Sequence, residues 1–185
     1  MNLYFYGGSF DPPHLGHKKI INYFYNSCDK LLVVPAFKSP HKSCNPISFF
    51  HRREMLKIML KDLSDKSIIL NYENKNSIRY TFETIQFLKK KYPNHLLNMI
   101  LGADQFKVID SWKNYEYILN NVKLSVILRP GYKLNINENG VNFVGDINLD
   151  ISSEDIKNNI DDIDKIKSMI DEEVLNYIIK NNLYR

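Results

Sequence analysis

The chain has 185 residues, 44% of them apolar and 12% aromatic. This suits one domain with a sizeable core and excludes a disulfide-stapled miniprotein or a disordered chain. Lysine and arginine number 25 against 21 acidic residues, and the resulting net charge of +4 is too small to argue for nucleic-acid binding. The sequence begins without the basic segment of a signal peptide, and no stretch has the roughly 20 apolar residues of a membrane span. We therefore expect a cytoplasmic protein without nucleic-acid or membrane partners, and the sequence leaves open whether it forms a homo-oligomer.

Short apolar strands alternate with amphipathic helices along the chain. Strands are predicted over residues 3–6, 31–34, 68–70, 96–101, 124–128 and 141–144. Helices are predicted over residues 15–26, around 56–60, from about 82 to 91, from 153 onward and over 172–180. The central strands are continuously apolar, which is typical of a parallel sheet covered on both faces. We predict an α/β fold, with a parallel sheet, helices on both faces and a small C-terminal helical segment.

Ligands of such sheets bind at the carboxyl ends of the strands, so the loop after the first strand is the first candidate site. It reads GGSFDPPHLGH over residues 7–17. Its glycines let the backbone turn and let an anion approach the backbone N–H groups. His14 and His17 lie three residues apart at a predicted helix start and share one face. Two imidazoles there can hydrogen-bond phosphate oxygens and stabilise charge that develops in a transition state. The loop has neither the GxGxxG dinucleotide pattern nor the Walker lysine.

Further motifs follow this loop in a fixed order. They are PAFKSPHK at 35–42, Tyr80-Thr81, Gly102-Ala103-Asp104 with Trp112, RPGY at 129–132 and Ile151-Ser152-Ser153. Together they resemble the nicotinate-nucleotide adenylyltransferase family, within the HxGH nucleotidyltransferase superfamily, over nearly the whole chain. The resemblance implies a Rossmann-like fold and a single nucleotidyltransferase domain over residues 1–185.

The resemblance also implies a reaction. The phosphate of nicotinate mononucleotide attacks the α-phosphorus of ATP, and the products are nicotinate adenine dinucleotide and pyrophosphate, as in NAD biosynthesis. Both reactants are polyanions, so catalysis consists mostly of positioning and charge stabilisation. Mg²⁺ is the expected cofactor. It is carried with ATP and held mainly by phosphates and water, so no metal site built by the protein is expected.

Residues that match the family motifs acquire expected roles. His14 and His17 are the expected catalytic residues and also contact ATP. The other residues expected to bind ATP are Gly8, Phe10, Gly102, Asp104, Ser152, Ser153 and Lys157. The residues expected to bind the mononucleotide are Ser9, Lys42, Tyr80, Thr81 and Trp112. Trp112 is expected to stack on the pyridine ring, and Tyr80 and Thr81 to offer backbone N–H groups to its carboxylate.

The chain departs from the family pattern ISSTxIR at two positions. Glu154 stands in place of the threonine, and Lys157 stands in place of the arginine, which keeps the cation but loses the bidentate fork. A Glu154 side chain that pointed into the site should weaken ATP binding.

Several other charged residues have no assigned role. The run His51-Arg52-Arg53 begins a predicted helix and is interpreted as surface charge. Arg79 could add a positive charge near the nicotinate pocket or lie in solvent, and Arg129 could be structural or lie near ATP; the sequence leaves these alternatives open.

Other functions share parts of the pattern. Sister adenylyltransferases that use nicotinamide mononucleotide or phosphopantetheine are the main alternatives, and a cytidylyltransferase fits the later motifs less well. A class I aminoacyl-tRNA synthetase would need a longer chain and a KMSKS-type loop. A nucleotide sensor that has lost catalysis is the alternative from another class. ATP-dependent release of pyrophosphate separates the enzymes from the sensor.

Overall fold

A computed structural model describes residues 1–38, 46–128, 140–145, 147 and 151–185. The strands of this described part form one sheet in the order β3-β2-β1-β4-β5-β6. They are β1 (Asn2–Gly8), β2 (Lys30–Pro35), β3 (Ser67–Ile69), β4 (Leu96–Gly102), β5 (Lys123–Ile127) and β6 (Val141–Val144). Every neighbouring pair is parallel. The predicted parallel sheet is therefore confirmed, and each predicted strand is present within one or two residues of its expected bounds.

The sequence predicts the longer helices but only one of the shorter ones. The longer helices are α1 (Leu15–Tyr25), α2 (Phe49–Met59), α4 (Thr81–Lys91) and α9 (Glu172–Lys180). The shorter helices are α3 (Tyr72–Asn76), α5 (Ala103–Phe106), α6 (Tyr115–Asn121), α7 (Ser153–Asn158) and α8 (Ile163–Ile166). Of these, only α7 is predicted, because a helix of one or two turns leaves too few residues for a periodic pattern.

Adjacent residues of β2 show why its run of apolar residues is continuous. Leu31 packs into the cluster formed with α1, α2 and α9, whereas Leu32 packs into the cluster on the opposite face, with α4. Both side chains are fully buried. Since successive residues of a strand point to opposite faces, both faces of this sheet are covered by helices.

The order of the strands creates a crevice beside β1. The chain runs outward from β1 to β2 and β3, and then returns to place β4 on the other side of β1. The connections after β1 and β4 therefore diverge, which is the switch point where parallel sheets bind ligands. Gly8 ends β1 and Gly102 ends β4 at this place.

The C-terminal helices pack against the same face as α1 and α2. Val174 and Ile178 of α9 are buried in that cluster. Asp171 caps α9 by accepting a hydrogen bond from the backbone of Glu173, and it pairs with Lys18 of α1 at 2.8 Å. These contacts connect the C-terminal helices to α1. The predicted C-terminal helical segment is present in α7, α8 and α9. Across the residues that the structure describes, none of the helices has the length and apolarity needed to cross a bilayer.

Leu32 and Ile68 are register partners on β2 and β3 that differ in exposure, so they form a matched pair. Leu32→Ala should lower the free energy of unfolding by about 2–5 kcal/mol, because it removes buried methyl groups and leaves a cavity. Ile68 is 40% exposed, and Ile68→Ala should cost less than about 1 kcal/mol. Urea denaturation followed by circular dichroism measures both changes. Equal losses of stability would contradict the burial of Leu32 on β2 and the exposure of Ile68 on the edge strand β3.

Candidate active site

A cavity of about 670 Å³ opens at the carboxyl ends of the strands, over the crevice beside β1. Gly8, Gly102 and Ile127, at the ends of β1, β4 and β5, contribute to its wall. Most of the residues expected to bind substrates lie on its lining. They are Gly8, Ser9, His14, His17, Tyr80, Thr81, Gly102, Asp104, Trp112, Ser152 and Ser153. The topology thus brings together motifs that are up to 145 residues apart in the sequence (Gly8 to Ser153, a difference of 145).

Phe10 supports the loop from below and is not part of the cavity wall. Its side chain is 1% exposed, and its backbone adopts a positive φ of 49°. A Cβ atom placed on Gly8 would come within 3.1 Å of the Phe10 ring, so the close approach of the two residues depends on glycine. The same ring packs edge-on against His17, with 4.9 Å between the ring centres. The side chain of Phe10, expected to contact ATP, therefore shapes the loop and supports a histidine.

The two histidines at the start of α1 lie against each other. Their rings are 3.7 Å apart between centres, and Nδ1 of His17 accepts a hydrogen bond of 3.2 Å from the backbone N–H of His14. Because Nδ1 is an acceptor, the neutral ring of His17 carries its proton on Nε2. His17 therefore offers an N–H donor on the opposite side of its ring, as a residue that stabilises developing negative charge requires.

A buried arginine holds the loop between β1 and α1. Arg52 of α2 is 1% exposed and donates hydrogen bonds to the carbonyl oxygens of Ser9 (2.8 Å) and Ile47 (3.0 Å). Burial lowers the pKa of its guanidinium, and the nearby charge of Asp11 acts in the opposite direction. The interpretation of Arg52 as surface charge is therefore wrong. The sequence around Arg52, a triplet of charged residues, does not indicate burial. The groups that bind the guanidinium are backbone carbonyls, and only the tertiary fold brings the carbonyl of Ser9 to it.

Asp11 fixes the middle of the same loop. Its Oδ1 accepts hydrogen bonds from the backbone N–H of Ile47 (3.3 Å) and from the hydroxyl of Tyr184 (2.9 Å), the next-to-last residue. Burial, followed by the charge of Asp11, raises the pKa of Tyr184 well above its ordinary value, so its hydroxyl remains a donor. The backbone N–H of Leu15 also donates to the carbonyl of Met169 at 2.9 Å. The loop that carries the histidines is thus fastened by the C-terminal part of the chain.

The paired serines and their neighbours form the far wall of the cavity. Ser153 donates its hydroxyl to the carbonyl of Pro12 at 2.9 Å, and Ser152 caps α7 by accepting from the backbone of Asp155 at 3.1 Å. Both hydroxyls therefore have protein partners. Lys157 lies outside the cavity lining, where its ammonium is 3.0 Å from Glu154 and 4.0 Å from Asp11. Glu154 contributes to the lining, but its side chain is 68% exposed and is directed to this lysine.

Aromatic and cationic residues form the other end of the cavity. Tyr80 is the N-cap residue of α4, with extended backbone angles, and Thr81 is the first residue of the helix. Lys113 places its ammonium 4.4 Å from the centre of the Tyr80 ring. Nε1 of Trp112 is buried and makes no hydrogen bond to the described residues. A buried N–H donor without a partner is costly, so the position of this indole is set by packing and not by a hydrogen bond to the described residues.

Sequence reasoning missed several residues of the cavity lining. Lys38, Glu73, Thr84, Gln105 and Lys113 all line the cavity. Glu73 accepts a hydrogen bond of 2.7 Å from the hydroxyl of Thr84, and desolvation raises the pKa of its carboxyl group to about 7. Glu73 follows no motif, so the sequence offers no signal for it. Arg79, which the sequence leaves open between the nicotinate pocket and solvent, also lines the cavity.

The structure does not describe every residue of the family motifs. Lys42 and Arg129, with the rest of the RPGY motif, lie outside the described residues. In the part of the chain that is described, no group of three or more histidine, cysteine, aspartate or glutamate side chains is arranged to hold a metal ion. Such a chain can still use a metal ion that a triphosphate carries, because the phosphates and water supply the ligands.

Removing the hydroxyl of Tyr184 tests whether the C-terminus fastens the loop. Tyr184→Phe takes one donor from a buried carboxylate and should lower the free energy of unfolding by about 1–3 kcal/mol. Tyr23→Phe is the matched control, because Tyr23 is 48% exposed. Urea denaturation at neutral pH measures both variants, and a loss no greater than that of the control would show that the contact does not stabilise the protein.

Comparison with known proteins supplies the family. The model of the cytidylyltransferase-like family matches residues 5–159. A "Probable nicotinate-nucleotide adenylyltransferase" of Leptospira interrogans is 33% identical over 97% of this chain and 94% of its own length. A protein of Hydrogenobaculum sp. with the same name is 34% identical over 100% of this chain and 98% of its own. The solved structure of the nicotinic acid mononucleotide adenylyltransferase of Plasmodium falciparum, complexed with NaAD, is 26% identical and has a TM-score of 0.86. It covers 99% of this chain and 97% of that one.

These matches extend over both ends of the cavity, and the predicted Rossmann-like fold agrees with that of the solved structure. The chain belongs to the nicotinate-nucleotide adenylyltransferases, within the cytidylyltransferase-like family.

Proposed function

We propose that the cavity beside β1 is the active site, in which the chain transfers the adenylyl group of ATP to nicotinate mononucleotide as a single domain of residues 1–185. The observation that carries the proposal is the His14–His17 pair, held at the end of β1 with Nε2 of His17 as a donor. The reaction gives nicotinate adenine dinucleotide and pyrophosphate. It consumes ATP, which fits the expected cytoplasmic location.

The histidines act on the charge of the transition state. As the mononucleotide phosphate attacks, negative charge grows on the oxygens around the α-phosphorus of ATP. A donor that is already oriented by the backbone of His14 stabilises this charge without reorganisation. A general base is not needed, because a phosphate monoester is already ionised and nucleophilic at neutral pH. Catalysis therefore rests on alignment and charge stabilisation.

The two ends of the cavity divide the substrates. We assign ATP to the end formed by Gly102, Asp104 and the start of α7, where a carboxylate can accept from ribose hydroxyls. We assign the mononucleotide to the end formed by Tyr80, Thr81 and Trp112, with the pyridine ring on the indole. Support for this second assignment comes from the side chains of Tyr80, Trp112 and Lys113 on the cavity lining, since two aromatic rings and an ammonium suit an aromatic ligand with an anionic substituent. Gly8 and Ser9 lie between the two.

A divalent metal ion completes the substrate. We propose Mg²⁺, bound to the triphosphate of ATP, which supplies charge neutralisation of the departing pyrophosphate. The cavity lining includes the carboxylate of Asp104, but the described residues form no group of three or more ligating side chains. This donor pattern fits a metal ion that enters with its nucleotide.

The direct test is release of pyrophosphate with ATP and Mg²⁺, with nicotinate mononucleotide, nicotinamide mononucleotide and phosphopantetheine offered in parallel. Turnover of nicotinate mononucleotide above the other two is expected. Turnover of phosphopantetheine alone would overturn the proposed substrate. A folded protein that releases no pyrophosphate with any of them would favour the nucleotide sensor.

The role of His17 has a quantitative consequence. His17→Ala should reduce kcat by about 10²–10³-fold while the fold stays intact, because one preorganised donor contributes ~3–4 kcal/mol to transition-state stabilisation. His95→Ala is the control, since His95 immediately precedes β4 and therefore lies at the amino ends of the strands, away from the cavity at their carboxyl ends, and its kcat should stay within about twofold of wild type. Steady-state kinetics measures both variants, and a loss of only a few-fold for His17→Ala would refute the assigned role.

A further inference from the structure

One carboxylate joins two separate walls of the cavity. Glu73 of α3 accepts a hydrogen bond from the hydroxyl of Thr84, on the second turn of α4, at 2.7 Å. It also accepts a hydrogen bond from the backbone N–H of Phe37, in the segment after β2. Thr84 is 1% exposed, so this end of the bridge is set in the core. Glu73 itself lines the cavity.

Both ends of the bridge lie close in sequence to groups that line the cavity. Phe37 is followed by Lys38, which lines the cavity, and Thr84 lies one turn beyond Tyr80 and Thr81. The segment after β2 and the start of α4 belong to different strand connections. The segment after β2 is also held by a hydrogen bond of 2.9 Å from the backbone N–H of Ala36 to the carbonyl of Gly8, which precedes this segment in the chain, whereas α4 follows it. A bond from each wall to the same carboxylate fixes the width of this end of the cavity.

We propose that Glu73 is a positioning residue for the mononucleotide, which sets the spacing between the Phe37–Lys38 segment and the start of α4 so that both walls contact one anionic ligand. This inference rests on the proposed function for the identity of that ligand. It assigns to Glu73 no contact with the reacting atoms, and its effect is therefore on binding of the mononucleotide rather than on the chemical step.

The electrostatic surroundings of Glu73 add a second consequence. Desolvation raises the pKa of its carboxyl group to about 7, against the lowering effect of the bonds from Thr84 and Phe37 and of the charge of Arg52 on α2. Glu83 of α4 adds a smaller increase. Lys38, Arg79 and Lys113 are cations on the same cavity lining.

The bridge accepts hydrogen bonds in both protonation states, but only the neutral state presents no negative charge to an anionic ligand. Binding of the mononucleotide should therefore favour protonated Glu73, and its affinity should fall as the pH rises through about 7.

The bridge is tested with variants of the full-length enzyme. Glu73→Ala should raise KM for nicotinate mononucleotide about tenfold or more, because it removes the acceptor of both bonds. KM for ATP and kcat should change less than about threefold, since neither the ATP end nor the histidines are touched. Thr84→Val should raise the same KM, and the double variant should show less than the product of the two effects. Glu116→Ala, at an exposed position of α6, is the matched control.

Glu73→Gln separates the charge from the bridge. It keeps a side-chain acceptor without ionising, so its KM for the mononucleotide should vary less with pH between 6 and 8 than that of the wild type. Ionisation of the substrate phosphate is common to both proteins and cancels in the ratio of their KM values. Parallel pH profiles would overturn the role of the Glu73 charge, and equal rises of both KM values in Glu73→Ala would overturn the positioning role.

Calorimetric titration of nicotinate mononucleotide without ATP keeps this inference separate from the proposed reaction. If the wild type binds the mononucleotide but does not turn it over, the proposed reaction fails while the weaker binding expected for Glu73→Ala is still measured. If the wild type turns it over and Glu73→Ala binds it as tightly as wild type, with an unchanged circular dichroism spectrum, only the positioning role fails.

Discussion

The site depends on the loop between β1 and α1, whose conformation is stabilised mainly by contacts with distant parts of the chain. Between β1 and α1 the chain carries both histidines, and its groups are bonded chiefly to distant segments. The carbonyl of Ser9 accepts from buried Arg52, and Asp11 accepts from Tyr184 at the other end of the chain. Each of these contacts closes a long loop of chain, which costs entropy once on folding but then leaves the loop rigid. A donor aimed at a transition state needs this rigidity, because a small displacement removes its advantage.

The architecture of the sheet was accessible from the sequence, whereas the connections were not. Continuous apolar runs such as Leu31–Val34 predict strands buried on both faces, and this property is intrinsic to the run itself. The short helices α3, α5, α6 and α8 have no comparable signal, because they owe their stability to tertiary packing rather than to an amphipathic pattern. One of these unpredicted helices, α3, carries Glu73, so the missing element and the missed residue have the same cause.

In the candidate site, too, some residues could be predicted from the sequence and others could not. The loops after β1 and β4 could be predicted because strand ends and glycines mark them, and His14, His17, Gly102 and Asp104 all line the cavity. Arg52 and Glu73 could not, because a charged side chain becomes buried only when a distant partner compensates it. For Arg52 the compensation comes from carbonyl groups and the charge of Asp11. For Glu73 the compensation is incomplete, so desolvation raises the pKa of the carboxyl group to about 7.

Because the pKa of Glu73 is raised on folding, its carboxyl group binds a proton more tightly in the folded state than in the unfolded chain. Its contribution to stability is fully present below its ordinary pKa and is lost as the pH rises through about 7.

The two departures from the family pattern near α7 are understood best as one change. Glu154 adds a carboxylate beside a cavity proposed to hold a triphosphate, which by itself would repel the ligand. Lys157 lies one turn later on the same helix, and its ammonium is 3.0 Å from that carboxylate and 4.0 Å from Asp11. An arginine at 157 would present a planar fork suited to a phosphate. A lysine is a compact point charge that can lie between two carboxylates, and here it does so outside the cavity lining. The two departures thus place the cation of residue 157 in an ion pair with the carboxylate of residue 154, so that each change offsets the charge of the other.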